Sequence, residues 1–89
     1  LYLRAGEAYV QLGVADTALV YLDVAEFLEY RPYYAGRVFV AIGNAYDLLG
    51  MREMAEEYYR LTLTEPTSYP AQVLARRYLK TPFKVNRVS

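Results

Sequence analysis

Apolar residues recur at spacings of three and four along most of the chain. Phe39, Ile42, Tyr46 and Leu49 form one such series, and Leu19, Leu22, Ala25 and Leu28 form another. That spacing places side chains on one face of an α-helix, so the expected core stripes run through these positions. Five helical segments are predicted. The first covers about 1–12 and stops at Gly13; the second covers about 16–29, with Asp16 near its positive end. Pro32 suits a first helical position, and the third helix is expected to reach about Leu49, where Gly50 ends it. The fourth covers about 52–63 and is closed by Pro66, and the fifth covers about 68–80 and stops before Pro82. The final stretch, TPFKVNRVS (81–89), has low helical promise and forms a tail. Connections of two to five residues make neighbouring helices antiparallel. The expected fold class is all-α, and no apolar run is long enough to span a membrane.

The helical pattern repeats. Shifted by 37 residues, Gly6 falls on Gly43, Ala8 on Ala45, Tyr9 on Tyr46 and Leu12 on Leu49. Gly13 falls on Gly50, Ala18 on Ala55 and Leu22 on Tyr59. A glycine inside a helix costs about 1 kcal/mol against alanine, so a repeated one needs a reason. Gly6 and Gly43 are expected where two helices must approach closely, with Ala18 and Ala55 doing the same on the partner helices. Gly13 and Gly50 differ in kind: they sit where a helix ends and a positive φ is wanted.

These residues resemble the tetratricopeptide repeat. The second copy reads Phe39, Ile42-Gly43, Tyr46, Ala55, Tyr59 and Pro66; the first reads Tyr2, Ala5-Gly6, Tyr9, Ala18, Leu22 and Pro32. A partial third copy reads Leu74-Ala75 and Tyr78, like the helix that caps such an array. The resemblance covers roughly 1–80. The copies lie 37 residues apart rather than the usual 34, with the extra residues around EYRPYY, and the third lies 32 after the second.

The resemblance implies antiparallel helix pairs stacked into a short right-handed solenoid. Repeat 1 would cover about 1–32, repeat 2 about 33–66, the capping helix about 68–80 and the basic tail 81–89. It also implies a non-catalytic interaction module, of the adaptor, scaffold or co-chaperone kind. Such a module binds a peptide or protein segment in a groove lined by the first helix of each pair. If the series at Phe39 faces the core, the adjacent stripe faces that groove. The candidate groove residues are Glu7 and Gln11, then Arg37, Asn44, Asp47 and Leu48, then Tyr69, Gln72, Arg76 and Lys80. Some family members clamp a partner's C-terminal carboxylate with two lysines, two asparagines and an arginine. Here Asn44 and Arg76 match that set, whereas Leu3, Glu7 and Gln72 do not. A short segment carrying both charge signs or an apolar anchor is therefore the expected ligand, with Tyr69 and Leu48 as its apolar contacts.

Composition removes several chemistries. The chain has no cysteine and no histidine, which excludes disulfides, thiolate nucleophiles, Ser-His triads and the usual zinc sites. The acid pairs Asp23/Glu26, Glu26/Glu29 and Glu53/Glu57 read as solvated helix faces. Asp23, Glu26 and Glu29 would line up along one helix rather than converge on a metal. No glycine-rich phosphate loop is present. No catalytic residue, cofactor or metal is expected. The 11 tyrosines suit both core packing and recognition surfaces.

Charge adds two alternatives. The formal net charge is zero, but all ten acids and five arginines lie in 1–65, while 66–89 holds five bases and no acid. In the first alternative the chain is an assembly domain of a larger protein. Its basic tail then docks in its own or a neighbour's groove, with Phe83 as anchor. In the second, RRYLKTPFKVNR binds nucleic acid weakly by mixing bases with Tyr78 and Phe83, against repulsion from the acidic first part. The chain opens on Leu1 rather than methionine and is expected to be a fragment or processed product. A cytoplasmic setting is expected.

Overall fold

The computed structural model describes residues 1–64 and 67–85. Pro66, expected to close the fourth helix, and Arg87 of the basic end lie outside the described residues. The described residues form five helices: α1 (Tyr2–Gln11), α2 (Ala15–Leu28), α3 (Pro32–Leu48), α4 (Arg52–Thr64) and α5 (Tyr69–Lys80). Every boundary falls within one residue of its predicted place. No strand occurs among the described residues, and no helix is long and apolar enough to cross a membrane. Pro32 occupies the start of α3, where its missing N–H has no intrahelical partner to lose.

The internal repeat is present in the backbone. Gly13 and Gly50 adopt φ of 78° and 76°, the left-handed conformation that glycine enters without a Cβ clash. Around them the hydrogen bonds match. Val14 N–H donates to Tyr9 O and Met51 N–H to Tyr46 O, both at 2.9 Å. Gly13 N–H donates to Val10 O and Gly50 N–H to Asp47 O. This double closure satisfies carbonyls that the helix end would otherwise orphan.

The side chains repeat as well. A Cβ on Gly6 would strike Leu22, and one on Gly43 would strike the Tyr59 ring. Each glycine therefore admits a large buried side chain from the facing helix, and Ala18 and Ala55, both fully buried, complete the close approach. Tyr9 stacks on Tyr21 at 5.3 Å and Tyr46 on Tyr58 at 5.7 Å. Tyr2 then tilts against Tyr21, as Phe39 does against Tyr58. The contacts from Leu3 to Glu29 and from Gly6 to Leu22 run opposite ways along α1 and α2, so the pair is antiparallel. The short turns make α1, α3 and α5 parallel to one another.

Among the described helices, α3 alone contacts all four others. That explains where the stripe reading departs from the structure. Asn44, expected on the stripe beside the core, is buried along with Val40, Ala41 and nearly every other residue from Ala35 to Ala45. Conversely, Leu28 and Leu49 were expected in the core and are 62% and 41% exposed. Both sit at helix ends, beyond the reach of the facing helix. One core cluster joins α1, α2 and α3 through Val10, Leu22, Val38 and Ile42, and takes in Phe83 from beyond α5. A second joins α3, α4 and α5 through Val40, Ala55, Tyr59 and Ala75. Tyr46 and Tyr78 pack against both.

Candidate binding groove

A cleft of about 410 Å³ opens between the three parallel helices. Helix α1 contributes Glu7 and Gln11; α3 contributes Arg37, Val40, Ala41 and Asn44; α5 contributes Pro70, Ala71, Leu74 and Tyr78, with Ser68 just before it. Four predicted groove residues, Glu7, Gln11, Arg37 and Asn44, come together here. The floor is apolar because α3 must be small and apolar to pack on its neighbours. The charged rim comes from the turns of α1 and α3 that no helix covers.

Glu7 and Arg37 form a bidentate pair across the cleft. Arg37 Nε donates to Glu7 Oε2 at 2.7 Å and Arg37 Nη2 to Glu7 Oε1 at 2.6 Å. The hydrogen bond to Glu7 raises the guanidinium's pKa further above its ordinary value. Both side chains remain substantially exposed, so the pair adds little stability but holds two long side chains in one orientation. The expected mixture of charges is present at these two residues, already neutralised within the protein.

Asn44 lies at the groove's inner edge, and its amide is committed inward. The Tyr59 hydroxyl sits 2.9 Å from Asn44 Oδ1 and 2.7 Å from Asp47 Oδ2. A phenol has one proton to give, and the carboxylate is the stronger acceptor.

Asp47 was expected to face the groove. Its side chain is instead 1% exposed and sits at the centre of a polar cluster. Asp47 Oδ2 accepts from Tyr59 Oη, from Arg52 Nη1 at 3.0 Å and from the Phe83 backbone N–H at 3.0 Å. Arg52 reaches on to α5, where its Nη2 donates to Tyr78 O at 2.6 Å and Leu79 O at 3.0 Å, capping carbonyls at the end of that helix. Its guanidinium also lies 5.9 Å from the Tyr59 ring centre. Burial, and after it the hydrogen bond to Asp47, pushes the Tyr59 phenol far above its ordinary pKa. No buried side-chain nitrogen or oxygen among the described residues lacks a partner.

The remaining predicted residues lie elsewhere. Leu48 packs on the first core cluster. Tyr69 is 73% exposed and does not line the cleft, nor do Gln72, Arg76 or Lys80. On α5 the groove is lined by the 70–71–74–78 stripe, one step around the helix from the stripe expected. Arg37, Val40 and Asn44 of α3 correspond to Ala71, Leu74 and Tyr78 of α5 at an offset of 34, not at the 32 obtained by setting Ala75 opposite Gly43. Phe83 is 7% exposed, its ring packed nearly perpendicular to Tyr78 at 5.4 Å, so it offers no face for stacking nucleic-acid bases. Among the described residues no three carboxylates converge on a metal position.

Sequence reasoning missed Arg52 as an organising residue. The signal was in the repeat itself: Val10, Ala15 and Leu22 of the first copy align with Asp47, Arg52 and Tyr59 of the second. A carboxylate standing where its twin has valine marks a buried polar site. The chain matches no family model, no curated protein and no solved structure.

Proposed function

We propose that this chain is a non-catalytic protein-interaction module of tetratricopeptide-like architecture, which binds an extended peptide or protein segment in the cleft between α1, α3 and α5. The observation that carries this reading is the cleft's construction. Three parallel helices surround an apolar floor at Val40, Ala41, Ala71 and Leu74, and the Glu7–Arg37 pair presents fixed charges beside it. An apolar floor with few oriented polar groups is the usual form of a recognition site. The resemblance of the repeated Gly, Tyr and Ala positions supports the solenoid and its binding role.

A peptide-display library panned against the protein tests this reading. Selected peptides are then titrated against wild type and against the exchange variant Glu7→Arg/Arg37→Glu. The variant keeps an ion pair but reverses its direction across the cleft. At least tenfold weaker binding with an unchanged helical spectrum is expected, an order of magnitude that corresponds to about 1.4 kcal/mol. Peptides indifferent to the exchange would remove the groove from consideration.

A second reading, self-assembly within a larger protein, draws on the α2–α3 corner. Phe27, Leu28 and Tyr33 are 84%, 62% and 64% exposed there, more apolar surface than scattered single residues present. Sedimentation across a hundredfold concentration range decides it: a constant monomer mass sinks the assembly reading.

A further inference from the structure

Beyond the groove, one feature is built differently from its twin. In the first helix pair Val10, Ala15 and Leu22 close the core with apolar contacts alone. In the second, the equivalent Asp47, Arg52 and Tyr59 form a buried polar cluster. Burying a carboxylate where valine would serve is unfavourable unless its lone pairs are used. One of the groups using them is the main-chain N–H of Phe83, from a segment that belongs to no helix.

Residues 81–85 lie on this site as a short extended ligand would. Their side chains alternate. Phe83 is buried and Val85 half-buried against the first core cluster, while Pro82 and Lys84 are exposed. Phe83 N–H to Asp47 is the one hydrogen bond that ties residues 82–85 to the helices among the described residues. A main-chain donor met by a fixed carboxylate holds an extended segment whatever its outward side chains are. The Phe83 ring then packs nearly perpendicular to the ring of Tyr78, which also lines the groove. Tyr78 is thus shared between the seat and the wall of the cleft.

We propose that the Phe83 seat is itself a recognition site for an extended segment with an aromatic residue and an aliphatic one two positions later, and that residues 81–85 are its internal occupant. A partner segment must carry a free N–H on the aromatic residue, to reach Asp47, and must displace the tail. A base between the two anchors, where Lys84 stands, suits the acidic balance of residues 1–65. The proposal rests on the groove reading only in that a longer partner continues from this seat into the cleft; the seat is tested alone. A tethered occupant competes at a high effective concentration, so the wild-type chain is expected to look closed to outside segments.

The test uses a fluorescent, end-capped peptide, Thr-Pro-Phe-Lys-Val, titrated by anisotropy against the full chain and against its Phe83→Ala variant. At least tenfold tighter binding to Phe83→Ala than to wild type is expected. A peptide N-methylated at its phenylalanine should lose at least tenfold on the variant, because it cannot donate to Asp47. Equal affinity for the two proteins, or no binding to a folded variant, overturns the proposal. If Phe83→Ala does not fold, amide exchange on wild type replaces it. The Phe83 amide should exchange at least a hundredfold faster than those of Ile42 and Ala45, through opening of the tail alone. Exchange at the core's own rate would make the segment a permanent staple and overturn the displacement. Glu7→Arg/Arg37→Glu should leave the five-residue peptide's binding unchanged, so failure of the seat and failure of the groove are distinguishable.

Discussion

Val10, Ala15 and Leu22 of the first helix pair and Asp47, Arg52 and Tyr59 of the second occupy the same places in the same backbone. The glycine turns, the carbonyl closures and the stacked tyrosines coincide at an offset of 37 residues. Yet one pair closes with hydrocarbon and the other with a network of ion pairs and hydrogen bonds. The difference shows which contacts a helix pair needs and which it acquires through what lies beside it. Leu22 fills the space over Gly6 and asks nothing more. Tyr59 fills the space over Gly43 and adds a hydroxyl, which requires an acceptor, which in turn requires a cation. Arg52 then reaches α5, and Asp47 reaches Phe83. The polar version ties its neighbours with directional hydrogen bonds, where the apolar version packs against α3 by contact alone.

The contrast can be broken most directly at its centre. Asp47→Ala takes the carboxylate from the Arg52 guanidinium and the Phe83 N–H and leaves the Tyr59 hydroxyl with Asn44 Oδ1 alone; it is expected to cost about 3 kcal/mol, against about 2 kcal/mol for Val10→Ala, by urea denaturation. Combining Asp47→Ala with Tyr59→Phe removes donor and acceptor together. The double variant should recover at least about 0.5 kcal/mol relative to the sum of the singles. Strict additivity would mean the two groups do not act as a unit.

The two close approaches should differ next. Gly43→Ala drives a methyl into a rigid, fully buried ring and is expected to cost about 2 kcal/mol; Gly6→Ala meets a leucine that can rotate, at about 1 kcal/mol. At roughly 4–8 °C per kcal/mol for a domain this small, thermal melting separates them. A larger loss at Gly6 would reverse the assignment of which pair is the tighter.

Alkaline pH sharpens the contrast further, because only the second pair carries a titrating group at this place. Tyr59 is held protonated far above its ordinary pKa of 10.0, first by burial and then by the Asp47 hydrogen bond. The unfolded chain loses that proton near pH 10, while the folded chain keeps it. The contribution is thus fully present below pH 10 and is lost as pH rises above it, at about 1.4 kcal/mol per pH unit. Burial raises the Tyr58 phenol as well, so some slope will survive any single substitution. Tyr59→Phe should flatten the fall of stability between about pH 10 and 11 by one proton's worth; an unchanged slope would place the titration elsewhere.

The smallest effect is a predicted equality. Gly13→Ala and Gly50→Ala each force a side chain into positive φ and should each cost about 1 kcal/mol. At Gly50 no atom lies close enough to add a clash, so the cost there is the backbone's alone. A difference above about 0.5 kcal/mol in chemical denaturation would show that the turns are not equivalent.

Much of this was legible in the residues themselves. Helix limits came from glycine, proline and the spacing of apolar residues, because these act within a turn or two of their own position. The repeat came from Gly6/Gly43 and Ala18/Ala55, because close approach leaves only the smallest residues permissible. The groove was half legible. Glu7, Gln11, Arg37 and Asn44 lie where the helical register puts them. Tyr69, Gln72, Arg76 and Lys80 do not, since an alanine does not mark the glycine place uniquely, and setting Ala75 opposite Gly43 put the α5 register two residues off.

Asp47 marks the limit. By helical register it belongs on the groove face, and by chemistry it belongs in water. Only the approach of Arg52, Tyr59 and the Phe83 backbone makes its burial tolerable, and those partners lie 5, 12 and 36 residues away. The sequence by itself determined the five helices, their antiparallel pairing and the two matched turns, all of which depend on neighbours along the chain. The tertiary structure decided which polar residues face solvent and which face each other. A charge's environment depends on what folds over it, and that is set by contacts far apart in sequence.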